Sequence, residues 1–259
     1  MATYYVYHPE GFSAGAVCHL LDAEAHHLLR VLRITARDRL FVFDGNGNIG
    51  RCSLQSADHR HCTIAVGEIT DFPPPVPLIL LQGIVKNAAM DQIIHQATEL
   101  RVTQIFPILC NNSVASANEI HVARRLERWR QIAIEACKQS KNPFLPQIFQ
   151  PCSIDSALKL QPNSGPKIVA ALWGNCQPWG ECISSVSRAK SITVAVGPEG
   201  DFSQDEYETL AAADFFFLSL GPCILTTQTA TVAIISAIQL AGRCDHGTSS
   251  RAPQHTSRI

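Results

Sequence analysis

The hydrophobic positions change rhythm once along the chain. Up to about residue 70, short apolar runs alternate with Gly and Asn punctuation, the pattern of β-strands joined by turns. Residues 39–44 and 48–54 flank Gly45, Asn46 and Gly47, where positive φ is cheap, and predict a hairpin. Residues 61–69 predict a further strand, and residues 22–33 a helix with Leu28, Leu29 and Leu32 on one face. Past residue 78 the apolar runs are continuous and alternate with helical stretches. Strands are predicted at 78–85, 102–109, 167–173, 191–196 and 215–220, and helices at 88–100, 119–140, 203–213 and 227–241. Such alternation means a parallel sheet covered on both faces. Ser203 and Glu206 have the spacing of a capping box.

Pro73, Pro74, Pro75 and Pro77 separate the two rhythms with a stiff, extended spacer that neither a helix nor a central strand accepts. The chain therefore divides into a small barrel-like β domain at 1–71, a linker at 72–77 and an α/β domain at 78–244. The polar, Ser/Thr-rich tail at 245–259 is expected to be disordered.

Composition narrows the class. With 46% hydrophobic and 17% charged residues the 259-residue chain is globular. A net charge of −1 gives no global nucleic-acid signal, so such a partner must be met by local patches. The ten cysteines include no Cys-x-x-Cys pair and no zinc spacing. The first residues lack a signal-peptide layout, and no apolar run reaches the roughly 20 residues of a membrane span. Reduced thiols in a cytoplasmic protein, with no membrane, are the expectation.

The chemistry concentrates near the end. Gly197, Pro198, Glu199 and Gly200 follow one strand; Gly221 and Pro222 follow another, about two dozen residues on. Two Gly-Pro turns imply adjacent loops at the carboxyl edge of a sheet, where ligands bind. No dinucleotide fingerprint, P-loop or Gly-x-Ser-x-Gly elbow is present, which sets aside dehydrogenases, P-loop NTPases and α/β-hydrolases. Gly-Pro-Glu-Gly by itself reads as a turn feeding the Ser203 cap, and Glu199 as a solvated or capping carboxylate. Thr226, Thr227, Thr229 and Thr231 either line a pocket at a helix N-terminus or supply a cap and an i−4 hydroxyl bond; the two readings stand level. Lys86, after the first α/β strand, reads as a solvated charge unless a phosphate or carboxylate meets it. Arg124, Arg125, Arg128 and Arg130 crowd one helix beside Glu119 and Glu127, the usual look of a solvated face. His26, His27, Arg30, Arg33, Arg37 and Arg39 form a basic, ring-containing strip that suits RNA, opposed by Asp22, Glu24 and Asp38.

In order along the chain, residues 26–33, 43–45, 96–100, 105–107, 129–136, Gln139, Pro146, 197–200, 220–222, Ile224 and Leu225 resemble the bacterial 16S ribosomal RNA (uracil-N3) methyltransferase family of the SPOUT, or trefoil-knot, superfamily. The resemblance implies an α/β protein: a PUA-like RNA-binding β-barrel followed by a knotted parallel-sheet methyltransferase domain, acting as a homodimer. It implies S-adenosylmethionine as methyl donor, gripped mainly by backbone at Leu172, at Gly197, Glu199 and Gly200, and at Leu220, Gly221, Ile224 and Leu225, with no metal. The implied partner is 16S rRNA or the assembled small ribosomal subunit, met by His27, Arg30, Arg33 and Lys86. Glu199, Thr226 and Thr227 are then the catalytic candidates. The chain departs from the family pattern at Asp201 and Arg101, where glycine is usual, and at Asn142, where arginine is common. Cys223, Thr226 and Gln228 replace two arginines and a glutamate. Two alternatives stay open: a non-catalytic RNA-binding or ribosome-assembly protein, and a related SPOUT methyltransferase acting on another RNA position.

Overall fold

The computed structural model describes residues 2–20, 22–31, 34, 38–57, 62–113, 119–160, 165–172, 174 and 176–243. The tail expected at 245–259 lies outside the described residues.

The first unit contains β1 (Thr3–Tyr7), β2 (Val17–His19), α1 (Asp22–His26), β3 (Arg39–Phe43), β4 (Asn48–Ala57) and β5 (Cys62–Asp71). Its five strands lie in the order β1-β3-β4-β5-β2, with β1 parallel to β3 and the other pairs antiparallel. The predicted hairpin is β3–β4, its tip turned by Gly45 at φ 82 and Gly47 at φ 115. Alternation along β5 sends Cys62, Ile64 and Val66 inward, onto Val6, Leu40 and Val42. Ala25 and Leu28 join that cluster from the helical segment. This segment is not the single α-helix the pattern predicts. α1 lasts five residues and continues as a π-helical turn, His27–Val31. The wider turn changes which side chains share a face: Leu28 is buried, Leu29 half-buried and Val31 exposed.

The second unit runs β6 (Leu78–Gly83), α2 (Asn87–Glu99), β7 (Gln104–Ile108), α3 (Glu119–Ser140), β8 (Gln147–Ile148), α4 (Ile154–Leu160), β9 (Lys167–Ala170), α5 (Trp179–Ser187), β10 (Ile192–Val196), α6 (Gln204–Ala212), β11 (Phe215–Leu218) and α7 (Thr227–Arg243). Its six strands are all parallel, ordered β11-β9-β10-β6-β7-β8. The continuous apolar strands are explained by two covered faces. Leu78 and Leu80 of β6 face α2, α3, α5 and α7, while Ile79 and Leu81 face α4 and α6. Three elements were not predicted from sequence: β8, α4 and α5. Each is short, and β8, at two residues, is below the length at which a period can be read.

The two units meet on α3. Ile134 and Cys137 pack against Tyr7 and Phe43, and Lys138, almost buried, pairs with Glu24 of α1 and with Glu135.

Candidate functional site

Registers across the second sheet place Leu218, Ala170, Val196 and Gln82 in one row. The chain therefore leaves β11, β9, β10 and β6 at one level, on the carboxyl edge. The two Gly-Pro bends share that edge but, contrary to the expectation from sequence, they are not adjacent. β9 runs between their strands, so two strand spacings, roughly 10 Å, separate their roots. The turn at Ala171 and Leu172 fills the interval.

The first bend is tightly packed. Gly197 and Pro198 are buried, while Glu199 and Gly200 are exposed. The bend crosses the end of β6 so closely that a Cβ on Gly83 would lie 2.5 Å from the Pro198 nitrogen. Beneath it, the fully buried Gln82 donates through Nε2 to Gly83 O at 3.1 Å and Val196 O at 3.4 Å. Its Oε1 accepts from Thr231 Oγ1 of α7 at 2.8 Å. The loop after β7 buttresses the outer side. Asn112 Nδ2 donates to Gly200 O at 3.0 Å and Asp201 O at 3.1 Å, and Asn111 Nδ2 donates to Ser203 Oγ at 3.0 Å. The predicted capping box is formed, and Glu206 also accepts from Asn111 N–H at 2.8 Å.

The departures from the family pattern have local explanations. Asp201 has φ 58 and Arg101 φ 59, the left-handed region that glycine occupies most cheaply. Asp201 is tolerated because its carboxylate accepts from Phe202 N–H at 2.8 Å and Tyr207 O–H at 2.9 Å. Burial pushes the Asp201 carboxyl pKa up, against the pull of those two bonds, and burial together with Asp201 pushes the Tyr207 hydroxyl up. The Arg101 guanidinium lies 5.4 Å from the Phe144 ring centroid. Asn142 is a buried post: Nδ2 donates to Thr98 O at 2.9 Å and Oδ1 accepts from Phe144 N–H at 3.1 Å.

The second bend is open. Gly221 has φ 129 and nothing within 4 Å of where a Cβ would stand. Ile224 is 82% exposed and Leu172 54%, with Leu220 and Leu225 half-buried. Bare apolar side chains grouped along one edge are the mark of a surface that something covers. Thr226 caps α7: its Oγ1 accepts from Thr229 N–H at 3.4 Å and lies 3.0 Å from Thr229 Oγ1. Thr231 Oγ1 also lies 2.8 Å from Thr227 O. The cap of the plainer reading is thus present. Thr231 Oγ1 stands at i−4 distance from Thr227 O, but its one proton goes to Gln82 Oε1, which has no other donor among the described residues. Thr227 is buried. Glu199 Oε1 accepts from Lys86 N–H at 3.3 Å, which puts a carboxylate at the N-terminus of α2. Lys86 is exposed at this same edge. His27 and Arg30 fall in the π-helical turn with side chains outside the described set, and Arg33 lies outside the described residues.

S-adenosylmethionine needs apolar cover for its adenine, main-chain partners for its polar groups and no metal. Leu172, Ile224 and the unfilled space at Gly221 fit it.

A family model described as an RNA methyltransferase domain matches residues 72–239, and one described as an RNA methyltransferase PUA domain matches residues 20–67. The ribosomal RNA small subunit methyltransferase E of Aquifex aeolicus is 33% identical over 85% of this chain and 92% of its own length. That of Synechocystis is 30% identical over 85% of this chain and 71% of its own. The chain belongs to the ribosomal RNA small subunit methyltransferase E family. The family enzyme of Neisseria gonorrhoeae, crystallised bound to S-adenosyl methionine, superposes with a TM-score of 0.83 at 28% identity, covering 92% of this chain and 97% of that one. A Legionella pneumophila methyltransferase in complex with its cofactor has the same fold, with a TM-score of 0.85 at 24% identity over 92% and 98% of the two chains. The fold is thus that of the SPOUT class preceded by a PUA-like domain, as the family pattern implied.

Sequence reasoning missed the residues that shape the first bend from below and from the outer side, Gln82, Gly83, Asn111 and Asn112, and singled out Thr231 without its partner. A signal existed for the first two. A Gln-Gly pair closing an apolar strand marks a buried amide beside a close backbone approach.

Proposed function

We propose that this chain transfers the methyl group of S-adenosylmethionine to N3 of a uridine in 16S rRNA, acting in the cytoplasm as a homodimer on the small ribosomal subunit or its RNA. The observation that supports the reading is the carboxyl edge itself, with a rigid glycine bend on β10, bare Leu172 in the middle and an open apolar bend after β11. Gly197, Glu199 and Gly200, with Leu220, Gly221, Ile224 and Leu225, hold the donor through main-chain atoms and apolar contact. The bound donor supplies an electrophilic methyl carbon on a sulfonium.

A protonated uridine N3 is a poor nucleophile, and losing its proton spreads negative charge over N3, O2 and O4. The chain's tasks are to align N3, receive its proton and stabilise the anion. Among the described residues Glu199 is held by Lys86 N–H through Oε1 alone, which leaves Oε2 as the proton acceptor. Thr226 can accept both bonds from Thr229 and keep its own hydroxyl proton to donate to a uracil carbonyl. Lys86, exposed beside Glu199, meets an RNA phosphate.

The replacement of two family arginines by Cys223 and Thr226 favours a second reading, an RNA-binding protein that kept the fold and lost the reaction. Calorimetry with S-adenosylmethionine, followed by mass spectrometry of nucleosides from treated small-subunit RNA, separates the two. Donor binding and 3-methyluridine are expected. An absence of donor binding supports the second reading, and a 2′-O-methyl product moves the target to another RNA position.

A further inference from the structure

A pocket of about 630 Å³ opens where the β3–β4 hairpin tip meets α3 and β8. This lies in the size range of small-ligand sites. β8 is the end strand opposite β11, three strand spacings or roughly 14 Å from β10, so the pocket stands apart from the methyl-donor edge. Its walls come from both units and are fastened together. Leu145 N–H donates to Gly45 O at 2.9 Å, Gly47 N–H donates to Pro143 O at 3.1 Å, and Asn46 bridges to Phe144.

Tyr7 lines the pocket at 9% exposure, and its hydroxyl has no hydrogen-bond partner among the described residues. The hydroxyl is not one of the fully buried polar atoms left without a partner, so it stays open to solvent and can donate or accept. Gly45 admits the ring, since a Cβ there would lie 3.2 Å from Tyr7 Cε2. The two carboxylates of the lining are already engaged. Asp44 accepts from Asn46 N–H at 2.7 Å, Asn48 N–H at 3.1 Å and Asn48 Nδ2 at 2.6 Å, and Glu127 accepts from Gln131 Nε2 at 3.0 Å. These charges repel a phosphate from the interior. Among the described residues, the uncommitted side-chain amides of the lining are the exposed ones of Asn46, at the hairpin tip, and of Gln147 and Gln150, side by side on the α/β unit, each able to donate and accept. Arg130, exposed and without an ion pair among the described residues, is the cation of the lining.

We propose that this pocket receives one unpaired nucleobase of the RNA substrate, its edge read by Gln147, Gln150 and the Tyr7 hydroxyl, with a flanking phosphate on Arg130. Splayed-out bases held by side-chain amides and aromatic residues are the usual route to sequence-selective RNA binding. The inference rests on the RNA-methyltransferase reading and adds a second anchor that sets which RNA is held.

The test uses the full chain and a fluorescent 12-nucleotide single-stranded RNA of mixed sequence, with the same RNA annealed to its complement as competitor. The Gln147→Ala/Gln150→Ala double variant is expected to weaken binding roughly 5- to 100-fold, the loss of two uncharged hydrogen bonds, with the salt slope unchanged. Arg130→Ala should weaken binding and lower that slope by about one. Tyr7→Phe, which keeps the packing, should weaken it a few-fold, and S-adenosylmethionine affinity by calorimetry should not move in any of them. Wild-type affinity in the double variant, equal competition by the duplex, or a changed salt slope in the double variant overturns the proposal. A chain that binds RNA through this pocket yet transfers no methyl overturns the methyltransferase reading instead, so the two failures are distinct.

Discussion

Replacing Thr231 by valine removes one hydroxyl and nearly nothing else, at a point that ties α7 to β6 and β10. Thr231 is 1% exposed and Gln82 fully buried, so no water can replace the lost bond to Gln82 Oε1. A buried acceptor left without a donor costs about 1–3 kcal/mol. Gln82→Leu removes that acceptor together with the donor to Val196 O and Gly83 O. In the double variant neither side chain leaves an orphan of the pair, so its cost should fall short of the sum of the two by roughly 0.5–3 kcal/mol. Urea unfolding followed by two probes gives all four stabilities and checks two-state behaviour. The bond also bears on function, because Val196 O immediately precedes Gly197. S-adenosylmethionine should bind the Thr231→Val variant more weakly than wild type in calorimetry. A Thr231→Val protein within about 0.5 kcal/mol of wild type, or a double variant that is simply additive, would refute the reasoning.

Asp201 gives a pH dependence with a definite sign. Its folded pKa is raised, so the folded state holds the proton more tightly and this group's contribution to stability falls as pH rises from the ordinary carboxylate value through the raised one. Asp201→Asn should flatten that part of the stability–pH curve, seen in thermal midpoints across mildly acidic buffers; an unchanged profile contradicts the assignment. Burial pushes the thiols of Cys110 and Cys137 up to about 12, whereas Cys223 is exposed beside the open bend. Among these three, iodoacetamide at neutral pH should label Cys223 first, and S-adenosylmethionine should slow that labelling. Peptide mapping that finds Cys110 or Cys137 modified first, or no protection at Cys223, counts against this arrangement. Glu199→Gln keeps an acceptor for Lys86 N–H but removes the base, so single-turnover methyl transfer should drop by more than tenfold, within the usual worth of general-base catalysis, at unchanged donor affinity. Thr226→Ala loses the α7 cap, worth about 1 kcal/mol, along with its rate contribution. Full methyl transfer in both variants removes these two roles.

Apolar patterning located every parallel strand but β8 and the helices α2, α3 and α7, while turn residues at Gly45 and Gly47 located the hairpin and the capping box of Ser203 and Glu206 located α6. The patterning missed β8, α4 and α5, which are short and held in place by neighbours rather than by their own pattern. It took the segment after Asp22 for one α-helix, because a π-turn leaves no periodic signature over five residues. The Gly-Pro bends, Glu199 and Thr226 stood out from the residues themselves, and the family resemblance added Leu172 and the roles of the rest. Local sequence also explains why glycine is the usual residue at 101 and 201, once φ there is known.

Strand order was not legible, and with it went the spacing of the site. That β9 separates the two bends, that Gly83 yields to Pro198, and that Gln82 meets Thr231 across 149 positions are outcomes of long-range packing. The sequence determined which residues are apolar, which turns are possible and which family's chemistry is on offer, since these are properties of neighbours along the chain. Only the tertiary structure decided which turns share an edge, which hydroxyls are spent as caps and which polar groups face an open pocket. Those depend on distances between residues that the covalent chain leaves far apart.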